Sequence, residues 1–272
     1  MPLARGPWVL ALLISWAGFA CSESQVRSGP GDAQTGLPEA CPGICNASVP
    51  SYPKVSDWGG TGDITMYSTA PSSGGACNYG ETKVAYYAAM SVNLRPGDGQ
   101  GQWQAGHICG QCVEVAALTS AGPRSVVVRI MDKCPDGYCG VDLGGQAPAS
   151  VMVDGFGRYQ GEWRFVSCDG HPEVSDGPPS LHVLAGSNAY WAAVQVRNPP
   201  WPVSSIKWQD GSSSGSFSYV GTSLENSFQV PTPVLQAQAT LALTVQYTDG
   251  SLGHATLTPA EIASPDATYA LQ

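Results

Sequence analysis

The sequence predicts a mainly β chain of two domains, and three observations carry that reading. Glycine and proline are frequent, at 33 and 22 of 272 residues, while charged residues make up only 12 %, about half the share of roughly 25 % usual in soluble domains. Short runs of alternating apolar and polar residues recur between turn signals, with no long amphipathic helix among them. All nine cysteines lie at or before residue 168, and the last hundred residues have none, so the two halves are held together by different means.

Taken in order, the chain opens with Arg5, the apolar run "WVLALLISWAGFA" and small residues before Cys21. This reads as a secretory signal peptide over residues 1–20, and the protein is expected to be secreted. Cys21 directly after "GFA" also fits a bacterial lipoprotein cleavage site, so lipid anchoring at Cys21 and simple cleavage stand as alternatives. No other segment is apolar enough to predict a membrane span. Residues 21–57 are rich in Ser, Gly, Pro and Gln and read as a flexible spacer. Residues 58–172 hold the strand candidates "GDITMYS", "QCVEVAAL", "SVVVRIMD" and "EWRFVSC", with two helical patches, "KVAYYAAMSV" and "APASVMVDGFG". Residues 170–180, with a Pro–Pro, form a hinge. Residues 181–272 alternate over "LHVLA", "WAAVQVRN", "SSIKWQD", "GSFSYVG", "SFQVP", "TLALTVQYTDG" and "HATLT". Seven short strands joined by turns predict a small antiparallel β-sandwich.

The formal net charge of −9 and a pI of about 4.7 argue against nucleic acid and anionic surfaces as partners. A neutral polysaccharide, bound by stacking rather than by charge, fits better. Setting Cys21 aside leaves eight cysteines, an even number that implies disulfides in an exported chain, although spacing alone allows about 105 connectivities. "CGQC" (109–112) has redox or zinc-knuckle spacing, but it runs straight into a strand. With four histidines, none at ligand spacing with the cysteines, no metal is expected, and no cofactor. His107 reads as a structural loop residue.

Five motifs in order, "GDITMYS…GGACNYG", "CGQCVEV", "VVVRIMDKCP", "GVDLG" and "YWAAVQVRN", resemble those of the expansins, in particular microbial expansin-like proteins. The resemblance covers roughly residues 58–260. It implies a six-stranded double-psi β-barrel, like that of family 45 endoglucanases, followed by an immunoglobulin-like β-sandwich acting as a carbohydrate-binding module. It also implies a monomer that binds cellulose and matrix glucans and loosens cell walls without hydrolysis. The disulfides expected are Cys77–Cys109, Cys112–Cys168, Cys134–Cys139 and Cys41–Cys45.

The resemblance assigns Thr65 and Tyr67 to the glycan groove, on one face of the first strand. Asp132 and Asp142, in "MDKCPDGYCGVDL", take the positions of the two groove aspartates. Asp142 corresponds to the general acid of the related hydrolases, and Asp132 would position it. Hydrolysis needs a second carboxyl, about 6.5–9.5 Å away in an inverting enzyme. The stretch "TMYSTAPSSGGAC" that should supply it has no Asp or Glu. Asp136 reads as a turn residue capping its own backbone. Cys134 stands where bacterial relatives often carry a tyrosine, with Tyr138 as the nearest replacement ring. Trp103, on a Gly-rich loop, could be either a sugar platform or packing over the barrel.

Tyr190 and Trp191 correspond to adjacent platform aromatics. On a regular strand they would face opposite ways, so an irregular start to the strand is expected. The third platform position falls near "LENSF", on Leu224 or Glu225. Tyr219 is the nearest substitute, and Trp208 and Trp201 are others. Two rival functions remain: a family 45-type endo-β-1,4-glucanase, and a barrel protein acting on peptidoglycan.

Overall fold

Six strands from the first half of the chain close on themselves, and nine from the second half form two facing sheets. The computed structural model describes residues 59–92, 103–221 and 226–272. The signal peptide, the spacer, Cys21, Cys41, Cys45, Leu224 and Glu225 lie outside the described residues.

The barrel comprises β1 (Gly59–Met66), β2 (Tyr86–Ser91), β3 (Cys112–Thr119), β4 (Gly122–Cys134), β5 (Cys139–Gly145) and β6 (Tyr159–Val166), with α1 (Ala147–Val151) before the last strand. Its spatial order is β1-β5-β2-β4-β3-β6. The pairs β1/β5 and β2/β4 are parallel and the other four antiparallel, as a double-psi barrel requires. The interior is filled by Ile64, Met90, Val113, Val128, Ile130, Leu143, Trp163 and Phe165. Gly140 is required by this packing, because a Cβ there would sit 2.4 Å from the Trp163 ring.

Two sequence expectations are corrected here. "KVAYYAAMSV" is not helical; it contains strand β2. Five of its six residues are buried, so both faces are covered and the strand shows no alternation to read. In "APASVMVDGFG" only Ala147–Val151 is helical, with Pro148 in the first turn and a left-handed Gly155 (φ 102°) beyond its end. Cys139–Gly145, absent from the strand candidates, is strand β5, so only residues 135–138 of "MDKCPDGYCGVDL" lie outside strands.

The second half comprises β7 (Ser180–Val183), β8 (Ala193–Arg197), β9 (Val203–Gln209), β10 (Ser214–Ser216), β11 (Ser218–Tyr219), β12 (Phe228–Gln229), α2 (Thr232–Leu235), β13 (Leu241–Tyr247), β14 (Leu252–Leu257), α3 (Pro259–Ile262) and β15 (Thr268–Ala270). One sheet runs β10-β9-β13-β14 and the other β11-β12-β8-β7-β15. In β13 every second side chain is buried, from Leu241 through Leu243 and Val245 to Tyr247. These meet Leu181, Val194, Val196, Trp208 and Phe228 in one core between the sheets. A mainly β chain of barrel plus sandwich is thus what folds. "GSFSYVG" divides into β10 and β11, and the C-terminal β15 had no sequence signal.

Among the described residues, no helix is long and apolar enough to cross a membrane. Three disulfides are formed: Cys77–Cys109, Cys112–Cys168 and Cys134–Cys139.

Candidate functional site

A single row of residues crosses four barrel strands. Thr65 on β1 pairs with Asp142 on β5. Asp142 then pairs with Ala89 on β2, and Ala89 pairs with Asp132 on β4. Ile64, Ala88, Met131 and Leu143, the neighbours of these four, are in the core, so alternation turns the row outward. The register of β4 against β2 jumps from Ile130 to Asp132. This bulge buries both Ile130 and Met131 and brings Asp132 opposite Ala89, the re-aiming that bulges provide beside functional sites. With strands roughly 4.8 Å apart, the two aspartates lie roughly 10 Å apart at Cα.

The two carboxyls differ in their surroundings. Thr65 Oγ1 donates to Asp142 Oδ1 at 2.5 Å. Burial pushes the Asp142 pKa above the usual carboxylate range, against the Thr65 hydrogen bond, which lowers it, and with help from the negative charge of Asp136. Asp132 instead accepts from the backbone N–H of Ala76 and of Lys133, each at 2.8 Å on Oδ1. Gly75 has φ 50°, and a Cβ there would lie 2.5 Å from the Asp132 carboxyl carbon. Asp132 therefore anchors the "GGAC" turn. The side chain that hydrogen-bonds Asp142 is Thr65, while the charge of Asp132 acts on Asp142 only as a minor influence that raises its pKa.

The Cys134–Cys139 disulfide packs on Ala89 and places Cys134 Sγ 3.8 Å from Asp142 Oδ2. The loop it closes is tied down by Arg158, which bridges Asp136 at 2.6 Å and Asp63 at 2.7 Å. Asp136 also accepts from the Tyr138 N–H. That hydrogen bond, and then Arg158, holds the Asp136 pKa below the usual range. The loop exposes Tyr138 (61 %). Tyr67 is 42 % exposed, and its ring meets that of Tyr87 edge-on at 6.0 Å. Its hydroxyl pKa is raised, mainly by burial and then by the charge of Asp132.

The aromatic pair sits on a turn before β8. Asn188 Oδ1 accepts from the N–H of both Tyr190 (2.8 Å) and Trp191 (3.2 Å), and the Asn188 N–H donates to Trp191 O at 2.7 Å. This Asx turn breaks strand alternation, so Tyr190 stands 85 % exposed with Trp191 half-buried beside it. Asn188 was not among the sequence candidates, although Asn two residues before an aromatic pair is a readable turn signal.

Four aromatic candidates are corrected. Trp103 is 5 % exposed and belongs to the barrel core, so it is no platform. Trp201 and Trp208 are buried in the sandwich core. Tyr219 is engaged rather than open. Its ring stacks on His107 with centroids 4.1 Å apart, and its hydroxyl donates to Ala105 O and accepts from Asn226 N. His107, read as a loop residue, thus packs against the sandwich. The described residues contain one group of metal-capable side chains, Cys134, Cys139 and Asp142, but its two sulfurs are consumed by their disulfide.

Comparison with known proteins places these observations. Residues 60–168 match the Barwin family. The expansin of Clavibacter michiganensis, solved without ligand, is similar in structure, with a TM-score of 0.60 and 20 % identity over 78 % of this chain and 96 % of that one. A point mutant of that expansin, solved in complex with cellohexaose, aligns with a TM-score of 0.60 and 18 % identity over the same shares. No curated protein sequence matches the chain.

Proposed function

From a chain whose residues 60–168 match the Barwin family and whose barrel and sandwich share the fold of a bacterial expansin, we propose an exported, expansin-like protein. It grips a glucan on the outer barrel wall, anchors to cellulose through the aromatic turn, and loosens contacts between chains without cutting them. The observation that carries this reading is the row Thr65–Asp142–Ala89–Asp132, in which only Asp142 is suited to proton chemistry.

Asp142 is held by Thr65, and burial raises its pKa, which favours the neutral form more than in a free carboxyl. A neutral carboxyl in that position donates a hydrogen bond to a glycosidic or hydroxyl oxygen. Hydrolysis would need a second carboxylate with a water before it. Oδ1 of Asp132 is occupied by two backbone amides. The disulfide covers Ala89, the residue between the two aspartates. Both facts disfavour a water-activating base. The exposed rings of Tyr67 and Tyr138 flank the row and supply apolar faces to a sugar chain. Tyr190 and Trp191 stack on glucose units without charge, which suits a protein of net charge −9. The relative solved with cellohexaose supports a β-glucan as the ligand class.

The test is weakening of cellulose paper or wall strips, run alongside a reducing-end assay, for wild type and Asp142→Asn. Wild type should weaken the material and release no sugar, and the variant should lose weakening while still binding cellulose. Sugar release that disappears in the variant would establish a glucanase instead. Weakening that survives the substitution would remove Asp142 from the mechanism.

A further inference from the structure

A cavity of about 390 Å³ lies where the barrel meets the sandwich, lined by Tyr79, Thr82 and Arg129 on one side and Arg197 and Asn198 on the other, with Asp176 at its exposed rim. Arg129 is 2 % exposed. Its Nε donates to Val174 O, and its Nη1 to Gly110 O and Pro199 O. Among the described residues Nη2 has no acceptor. Among the described residues the side chain of Arg197, half-buried on β8, makes no hydrogen bond, and its Nε is sealed from water without a partner. Neither arginine has a carboxylate within ion-pair distance among the described residues. Burial pushes the pKa of both guanidiniums down, against the longer-range pull of Tyr79 and Asp176.

Buried charges are normally paired, because an unpaired one keeps its desolvation penalty with nothing to offset it. Two such cations share this cavity in a protein with 21 acidic residues and only 12 basic ones. The supply of carboxylates is not what is short, and both side chains line the open cavity. We infer that this junction cavity is a binding site for a small sugar acid, its carboxylate held by Arg129 and Arg197. The volume falls at the low end of small-molecule sites, roughly 300–1,000 Å³. Val84, Met131 and Pro178 give the cavity an apolar wall, and Asn198 and Asp176 offer partners to hydroxyls. A sugar acid has one carboxylate, several hydroxyls and an apolar ring face, and so uses all of these. Arg129 has only Nη2 left to donate, while the two Nη groups of Arg197 keep the planar fork that matches a carboxylate bidentately. The site is separate from the glucan row and does not depend on it.

Calorimetric titration of the whole protein with D-glucuronate, D-glucose and sodium sulfate tests the assignment. Glucuronate should bind at least tenfold more tightly than glucose or sulfate. At tenfold its Kd it should raise Tm by roughly 3 °C. Arg197→Ala should weaken glucuronate at least tenfold and leave Tm of the free protein equal or higher, since it removes an unpaired half-buried cation. If that variant fails to fold, Arg197→Lys keeps the charge but loses the fork, and should still cost several-fold in affinity. Absence of glucuronate binding would overturn the proposal. So would equal binding of sulfate or glucose, or affinity unchanged in the folded variant. Any of these would leave Arg129 as a staple for three backbone carbonyls.

Discussion

Asp142 and Asp132 look alike in the sequence and are separated by what reaches their oxygens. A carboxyl whose folded pKa is raised above its unfolded value binds an extra proton in the native state, so stability falls as pH rises from the unfolded pKa through the folded one. Asp142→Asn removes that loss. The variant should melt at the same temperature as wild type or higher near neutral pH, and the difference should shrink below about pH 4, near the unfolded pKa. Scanning calorimetry across pH reads this. Thr65→Val deletes a hydrogen bond that lowers the Asp142 pKa, so the alkaline limb of the wall-weakening profile should move to higher pH. Asp132→Ala strands two amide donors and should cost about 1–3 kcal/mol in urea unfolding. Trp103→Ala should cost about 3–5 kcal/mol, as for any large core aromatic, and leave the cellulose affinity of the folded fraction intact. The row was partly legible, since Thr65, Asp132 and Asp142 carry functional groups. Ala89 was not, because an alanine gives no chemical signal and its place depends on a register two strands away. Trp103 stayed open between platform and packing because a Gly-rich neighbourhood suggests exposure, whereas the indole packs inward.

At the level of elements, the short loop between β4 and β5 and the turn before β8 do the presenting. Each rests on an Asx turn, at Asp136 and at Asn188. Asn188→Ala should cost about 1 kcal/mol of stability. It should also reduce cellulose pull-down several-fold, because the two rings are no longer held in one orientation. Tyr190→Ala should match that loss of binding with no change in Tm, given its exposure. Strand β2 was misread as helix because burial on both faces erases the period of two on which sequence reading depends. The alternating sandwich strands keep one polar face and were plainly visible. Strand β5 was hidden by its own punctuation, for "GYCGVDLGG" is dense in glycine. Those glycines serve close packing, with Gly140 lying against Trp163 and Gly144 against Tyr87.

Across the whole molecule, the two halves rely on different sources of stability. All three disulfides formed among the described residues lie in the barrel, and residues 173–272 contain no cysteine. In the chain-entropy picture the Cys112–Cys168 bridge, closing 56 residues, contributes about 4 kcal/mol, and Cys134–Cys139, closing 5, about 2 kcal/mol. Guanidinium unfolding of the two double Cys→Ala variants should rank in that order. The proposed binding through uncharged rings also predicts cellulose pull-down that holds up in 0.5 M salt, a concentration at which surface charge effects are largely screened. The uneven placement of the disulfides gives a chemical means of dissecting the protein without mutating it. Mild thiol treatment addresses only the first half of the chain. A preparation reduced in stages should stop loosening cellulose while it still adheres to it. The redox state of the surrounding medium would then decide whether the protein acts on its substrate or merely sits on it.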